Sequence, residues 1–431
     1  MDIIEVKDFL DTYSVPYKHT DIHRMRELMR RLGDPQKGMH FVHVAGTNGK
    51  GSCSAMTESI LRTAGYRCGL FTSPHLVRFN ERMQICGEEI PDDELADVMT
   101  EVVAANDALE EKVNWFEIVT AAALVWFRRR ACDIVVLEVG VGGDFDGTNV
   151  IDTPDVAVLM NIGLDHTGQL GDTVEKIAAT KAGIIKENGT VVIYRGTDSV
   201  EEIFEKRCAE KNASLRKADF GSISLKSEDL RGQVFDIGCY RNLCIPLIGE
   251  HQRKNTAVVL KVVEALREKG FVISDEALYE GLRDVSWPVR MQIMGERPLF
   301  IVDGGHNPQC VEAVKTSLET LLKEGQRLVF LSGILKGKDA SEMFRILSGL
   351  SKDFVLVEPA TVRAQSADAL SDLAKQYGCE TTVCGSVPEA VETAVGKAGE
   401  DGAVCCVGSL YLAGEILDHF GKTRSSQRRE S

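Results

Sequence analysis

Short apolar runs alternate along the first half of the chain with segments whose apolar residues recur at helical spacing. The apolar runs predict strands over 41–45, 67–72, 133–139, 156–161 and 190–194. The helical spacing predicts helices over 53–64, 92–110, 116–130 and 173–186. Strands that alternate with helices in this way typically form a parallel sheet whose faces the helices cover.

The pattern changes over 213–247. Short strand-like pieces at 222–225, 233–237 and 243–247 follow one another without a helical pattern between them. They predict a small antiparallel addition to the first domain, and a helix over 251–267 follows it.

A second alternation begins after the sequence WPVR at 287–290, where the earlier pattern breaks. Its predicted strands are 299–303, 327–332, 353–358, 380–384 and 402–407, and its predicted helices are 309–323, 339–349, 366–377 and 387–397. We therefore expect an α/β protein of two domains. The boundary is predicted between 296 and 297, so that 297–431 forms a smaller, Rossmann-like α/β domain.

The first predicted strand, 41–45, runs directly into a glycine-rich turn and then a helix. The turn has the sequence GTNGKGS and comprises Gly46, Thr47, Asn48, Gly49, Lys50, Gly51 and Ser52. Strand, glycine loop, lysine, hydroxyl and helix form the usual cradle for nucleotide phosphates, with lysine on the outer phosphates and the hydroxyl on Mg²⁺. The fit to G-x-x-x-x-G-K-[ST] is imperfect, because the first glycine falls late and Gly51 separates Lys50 from Ser52. A plain glycine turn is the alternative; otherwise 1–296 is a P-loop, ATPase-like domain.

Composition narrows the classes of partner. The 431 residues carry a net charge of −15, which disfavours a broad basic surface for nucleic acid or anionic membranes. The N-terminus lacks a signal-peptide layout, and the longest apolar run, 121–127, is too short to span a bilayer. Twelve cysteines occur without any C-x-x-C pair, which favours reduced thiols in the cytoplasm over disulfides or a zinc site.

Polar residues follow several predicted strands at their carboxyl ends, where open α/β sheets bind ligands. Glu138 ends the apolar run DIVVLE, and a carboxylate there needs a cation or a partner. It could bind Mg²⁺ beside the phosphate loop or cap a helix. Asp165 and His166 follow the next strand, although Mg²⁺ prefers oxygen ligands to imidazole.

Four further residues carry weaker signals. Lys181 lies in an apolar helical pattern, which alone predicts a buried stem and a solvated amine. Ser73 lies in an irregular loop after a strand. Asp303 and His306 follow the first strand of the second domain and would face the cleft, or Asp303 or Asn307 would cap the next helix.

Taken together, these segments resemble the folylpolyglutamate synthase/dihydrofolate synthase family of Mur-type ATP-dependent ligases. The similarity spans nearly the whole chain. The matching motifs are GTNGKGS (46–52), TSPHL (72–76), EVGVGG (138–143), GLDHTGQLGDT (163–173), KAGIIK (181–186), HQRKN (251–255), WPVRMQ (287–292), DGGHNP (303–308) and GSLYLAGE (408–415).

The resemblance implies roles for individual residues. It implies that Ser52, Ser73 and Glu138 hold one Mg²⁺, and that Glu138 and His166 help to bind a second. It implies a carbamylated Lys181, which reverses the reading from the helical pattern. Other implied roles are catalytic for Lys50, Lys181, His166 and His306, and ATP-binding for Gly46, Thr47, Asn48, Gly49, Lys50, Gly51, Ser52, Asn255, Arg290 and Asp303.

The implied reaction activates a carboxylate with ATP as an acyl phosphate and then joins it to an amine. The implied substrates are tetrahydrofolate with a glutamate tail, L-glutamate and ATP, and the implied state is a monomer. If the chain is also a dihydrofolate synthase, dihydropteroate supplies the carboxylate. Departures from the family pattern occur at Asp144, Thr180, Val289, Gly305 and the loop 333–339. Asp144 stands where arginine is usual, Thr180 where glutamate is, Val289 where glycine is and Gly305 where alanine is.

Three other functions compete with this one. A cell-wall Mur ligase would carry a further domain before the phosphate loop, and only about 45 residues precede Gly46. A non-catalytic nucleotide-binding protein would be expected to have lost Lys50, Glu138, His166 or Lys181. A P-loop phosphotransferase would leave the phosphate on its product.

Overall fold

The computed structural model describes residues 1–15 and 22–430, and it has two α/β units. The first contains an eight-stranded sheet of strand order β4-β3-β2-β5-β1-β6-β7-β8. Its strands are β1 (Phe41–Ala45), β2 (Cys68–Phe71), β3 (Met83–Ile85), β4 (Glu88–Glu89), β5 (Ile134–Glu138), β6 (Val156–Leu159), β7 (Thr190–Ile193) and β8 (Ser214–Lys217). All neighbours are parallel except β2–β3 and β3–β4.

Helices cover both faces of this sheet. They are α1 (Ile3–Thr12), α2 (His23–Arg31), α3 (Lys50–Thr63), α4 (Asp92–Asp107), α5 (Trp115–Arg129), α6 (Thr167–Leu170), α7 (Val174–Lys181), α8 (Asp198–Glu210), α9 (Glu250–Glu268) and α10 (Asp275–Arg283). Alternation along β1 explains the two layers: Val42 and Val44 pack with α3, α9 and α10, whereas Phe41 packs with α2, α4 and α5. The central strand is therefore buried on both faces, as parallel sheets usually are.

A separate antiparallel sheet follows, with β10 between β9 and β11. Its strands are β9 (Ile223–Asp229), β10 (Gly232–Ile237) and β11 (Tyr240–Ile245). The antiparallel addition predicted over 213–247 is thus confirmed from 223 onwards. Residues 214–217 differ, because β8 pairs in parallel with β7 and extends the main sheet instead.

The second unit has a six-stranded sheet of order β12-β13-β17-β14-β15-β16. Its strands are β12 (Gln292–Glu296), β13 (Leu299–Val302), β14 (Leu328–Ser332), β15 (Asp353–Leu356), β16 (Glu380–Val383) and β17 (Ala403–Val407). Its helices are α11 (Pro308–Leu321), α12 (Ala340–Leu347), α13 (Ala367–Lys375), α14 (Val387–Ala398) and α15 (Leu410–Glu430). The predicted α/β class with a large first domain and a smaller second one is confirmed.

The predicted boundary at 296/297 falls inside a β-hairpin. Strand β12 pairs antiparallel with β13, so Gln292–Glu296 belongs to the second sheet. We propose that the boundary lies before Gln292. Among the described residues, no helix combines the length and apolarity needed to cross a bilayer.

Candidate active site

The turn between β1 and α3 approaches the neighbouring strand β6 and its following loop closely. Gly46 has φ of +149°, and a Cβ there would come within 2.5 Å of Met160 Cβ. Thr47 N and Asn48 N donate to Asn161 O at 2.7 and 3.2 Å. Only glycine fits at position 46, because any side chain there would clash with Met160.

Helix α3 begins at Lys50, three residues earlier than predicted, and Gly49 (φ +86°) precedes it. At this end of the helix, Cys53 N donates a hydrogen bond to Gly49 O at 2.9 Å. The N–H groups of the first turn therefore lack partners within the helix and carry its positive dipole end. This arrangement has the geometry of the anion cradle that the motif predicts.

Glu138 ends β5 directly beside this cradle, and its side chain is buried. Its Oε1 lies 4.0 Å from Lys50 Nζ, and its Oε2 accepts a hydrogen bond from Ser73 N at 3.2 Å. Burial raises the pKa of Glu138, and the charge of Lys50 opposes that rise. Among the described residues, Lys50 is the one ion-pair partner of Glu138, and Arg290 and Arg82 act on the carboxylate from farther away. A buried carboxylate in this setting retains capacity for a bound cation.

Lys181, at the end of α7, does not lie in the environment that helical spacing alone predicts. That reading predicted a solvated amine, yet Lys181 is buried and its Nζ donates to Gly46 O at 2.8 Å. Burial lowers the pKa of Lys181 to about 7, and the charge of Lys50 contributes to a smaller extent. The pattern was misleading because the buried partner comes from a loop 135 residues away.

Asp165 and His166 meet the second domain at the cleft. Lys338 Nζ donates to Asp165 Oδ1 at 2.6 Å, and His306 Nε2 lies 3.6 Å from Asp165 Oδ2. His306 Nδ1 pairs with Gly304 O at 2.9 Å. Burial disfavours the charged form of Asp165, yet neighbouring His306 and Lys338 hold its pKa well below the usual range. Partial burial lowers the pKa of His166.

Helix α9 supports the cradle from the other side. Gln252 Nε2 donates to Ser52 Oγ at 3.3 Å, and Asn255 Nδ2 donates to Gln252 Oε1 at 3.1 Å. Asn255 also packs against Gly49, where a Cβ would come within 2.7 Å of Asn255 Oδ1. Gln252 therefore positions both the hydroxyl and the amide, a role that the sequence did not indicate.

The loop after β13 is shaped by a buried carboxylate. Asp303 accepts hydrogen bonds from Met291 N at 2.9 Å and Gly305 N at 2.7 Å, so it fixes the backbone around Arg290. Asn307 caps α11 by accepting from Cys310 N, which confirms the capping alternative for that residue.

All of the predicted site residues line one cavity of about 580 Å³ between the two units, which we call the central cavity. The structure therefore brings together the phosphate loop, the serine of the loop after β2, Glu138, Lys181 and the residues from the second unit. Their individual roles stay predictions. Asp144 instead lies beside Gly183, and burial raises its pKa.

Arg82 is a residue of the central cavity that the sequence did not single out. It is 6% exposed, its Nε donates to His75 Nδ1 at 2.9 Å, and its guanidinium carbon lies 4.9 Å from the Trp115 ring centroid. No carboxylate pairs with it among the described residues, and burial lowers its pKa to about 10. A buried arginine packed against an aromatic ring offers a binding site for an anion. The sequence around it, NERMQ at 80–84, is too common a pattern to indicate that role.

Two family models match the chain: the Mur ligase middle domain over residues 44–263 and the Mur ligase glutamate ligase domain over 289–410. A folylpolyglutamate synthase of Lacticaseibacillus casei is 32% identical over 96% of this chain and 98% of its own length. A dihydrofolate synthase/folylpolyglutamate synthase of Bacillus subtilis is 33% identical over 91% of this chain and 93% of its own.

A solved structure supports the same relationship. Folylpolyglutamate synthase of Mycobacterium tuberculosis, complexed with ADP, superposes with a TM-score of 0.90 at 28% identity, covering 97% of this chain and 98% of that one. Sequence, fold and cavity agree: the chain belongs to the folylpolyglutamate synthase/dihydrofolate synthase family of ATP-dependent Mur-type ligases.

Proposed function

We propose that this enzyme joins L-glutamate to the glutamate tail of tetrahydrofolate, with ATP activating the tail carboxylate as an acyl phosphate. The observation that carries the proposal is the central cavity itself, where an anion cradle, a buried carboxylate and cationic side chains from both units face one space. Both relatives are named folylpolyglutamate synthases, and the one from Bacillus subtilis is also named a dihydrofolate synthase.

ATP would bind with its phosphates on the first turn of α3. The free N–H groups there and Lys50 would neutralise the γ-phosphate, so that an anionic carboxylate can approach it. Asn255, on α9, and Arg290, just before β12, line the same cavity and are the proposed contacts of the nucleoside part. Asp303 would act by holding the loop that carries Arg290.

Magnesium fits the oxygen donors of this site. Among the described residues, no three or more His, Cys, Asp or Glu side chains are grouped as a metal site. Mg²⁺ commonly takes one or two carboxylates and completes its shell with phosphates and water, which matches Glu138 with the hydroxyls of Ser52 and Ser73. His166 is the proposed contributor to a second metal position. Bound Mg²⁺ would offset phosphate charge during phosphoryl transfer.

A carbamylated Lys181 also fits. Carbamylation needs a neutral amine, and the lowered pKa of Lys181 supplies one near neutral pH. The amine is buried and lies near Lys50, so an anionic carbamate formed on it would pair with the Lys50 cation.

Arg82 and Trp115 suit the folate substrate. A glutamate tail carries carboxylates, and a buried guanidinium without a carboxylate partner binds them bidentately. Trp115 and Phe116 line the same cavity and offer aromatic faces to the pterin or benzoyl rings. We propose that Arg82 holds a tail carboxylate that does not react.

In the reaction, a tail carboxylate oxygen attacks the γ-phosphorus and ADP leaves, forming the acyl phosphate. The amine of L-glutamate, after losing a proton, then attacks the acyl carbon and phosphate leaves. His166 lines the same cavity, and its proposed part in the reaction is to help hold the second metal. Because water destroys the intermediate, the two units must close around the cavity.

We further propose a cytoplasmic monomer. All twelve cysteines are free thiols, which suits a reducing compartment. Size-exclusion chromatography with light scattering tests the oligomeric state.

Product masses test the reaction. With Mg²⁺-ATP, L-glutamate and tetrahydrofolate, one ADP should form per glutamate added. A phosphorylated product without glutamate would instead support the phosphotransferase alternative. Dihydropteroate, offered separately, shows whether the second carboxylate substrate is used.

A further inference from the structure

A second cavity of about 700 Å³ adjoins the central cavity, and we call it the side cavity. The two cavities share a wall of residues that line both. These are Asn161, Asp165, His166, Tyr194, Gln309 and Lys338. The wall is built from both units, so it exists only while the units are close together.

An ion pair between Asp165 and Lys338 crosses this wall, and His306 Nε2 lies 3.6 Å from the other carboxylate oxygen of Asp165. Lys338 Nζ lies 2.6 Å from Asp165 Oδ1, and the side chains are only 11% and 10% exposed. Asn307 Nδ2 approaches Asp165 Oδ2 at 3.5 Å from the same unit as Lys338. A pair shielded to this degree is screened less by salt than a surface pair.

The backbone around the pair leaves little free space. Asn48 Nδ2 donates to Gln309 Oε1 at 2.7 Å, which ties the phosphate loop to the first turn of α11. A Cβ on Gly163 would come within 2.4 Å of Gln309 Oε1. The two units therefore touch along a line that runs from Asn48 to Lys338.

We propose that the Asp165–Lys338 pair is a latch that holds this wall closed and keeps water in the side cavity away from the acyl phosphate. Both are positioning residues in this role. The inference rests on the proposed ligase reaction. If the latch opens, water can attack the acyl phosphate, releasing phosphate and regenerating the carboxylate, so ATP is consumed without amide formation.

The variants Asp165→Asn and Lys338→Met remove one charge each, and Lys336→Met is the matched control. Lys336 lies in the same loop but is exposed, and its Nζ reaches only Val362 O at 3.3 Å. The readouts are the ratio of ADP formed to amide formed, and hydrogen–deuterium exchange of peptides covering 161–170 and 333–342 in the ligand-free enzyme.

Each latch variant should raise the ADP-to-amide ratio, and the double variant should raise it no further than the single ones. Exchange should quicken in both peptides, including the one that carries no substitution, by at least about tenfold. Lys336→Met should change neither readout.

A different result would overturn the latch. If Lys338→Met raises only the KM for L-glutamate while the ratio and the exchange of 161–170 stay as in the unmodified enzyme, Lys338 binds substrate instead. Failure of the unmodified enzyme to form any amide would refute the proposed function, whereas the exchange experiment would still decide whether the pair holds the units together.

Discussion

The buried amine of Lys181 should make this enzyme depend on carbon dioxide. Only a neutral amine reacts with CO₂, and the pKa of Lys181 is lowered to about 7. With an ordinary lysine pKa near 10.4, only a few amines in ten thousand would be neutral at pH 7, so the shift raises the neutral fraction by about 10³-fold. Below pH 7 the amine becomes protonated, and the gain is lost.

The assay is the initial rate of amide formation in CO₂-depleted buffer at pH 6, 7 and 8, with and without added bicarbonate. Bicarbonate should stimulate the depleted enzyme. Lys181→Met should be nearly inactive and insensitive to it. Lys176→Met, on the exposed side of the same helix and paired with Asp172, is the control and should behave like the unmodified enzyme.

A spectroscopic readout separates modification from catalysis. With ¹³C-bicarbonate, the unmodified enzyme and Lys176→Met should show a carbamate signal that Lys181→Met lacks. Equal activity of the unmodified enzyme with and without CO₂, together with no carbamate signal at pH 8, would refute the reasoning.

Further substitutions test other parts of the site. Glu138→Gln keeps the shape but removes the buried charge, so kcat should fall by at least about 10²-fold and the Mg²⁺ concentration for half-maximal rate should rise; an unchanged Mg²⁺ titration would argue against the metal role. Arg82→Leu should raise the KM for tetrahydrofolate by about tenfold or more without changing that for ATP, since a charged hydrogen bond is lost; equal changes in both would point to misfolding. Val289 has φ of +53°, which strains a β-branched residue. The loss of unfolding free energy in Val289→Gly should therefore be about 1–2 kcal/mol smaller than the loss in Val302→Gly, a variant in the same core. Chemical denaturation of both variants checks this, and equal losses would mean that the strain is absent.

Most of the fold was predicted from local sequence patterns. Apolar runs such as 41–45 mark buried parallel strands because both faces of the sheet are covered, and the structure has a strand at each predicted run. Strand β8 was not predicted, and its residues fell in the stretch assigned to the antiparallel addition, because four residues of partly exposed strand carry no signal for their partner. The β3–β4 hairpin was missed for the same reason.

The site was predictable where its chemistry sits in one segment. The phosphate loop and Glu138 each follow a strand, and the carboxyl ends of parallel strands meet at one edge of the sheet. Lys181 was misread from its helix alone, because its burial depends on Gly46. The pairing of Asp165 with Lys338 joins positions 173 residues apart, which spacing along the chain cannot reveal.

The most direct test of the account is mass spectrometry of tetrahydrofolate after incubation with the enzyme, Mg²⁺-ATP and L-glutamate, with ADP measured in parallel. The account predicts products heavier by one or more glutamate residues and one ADP for each residue added. ATP binding without any glutamate-sized mass gain, on tetrahydrofolate or on dihydropteroate, would contradict it.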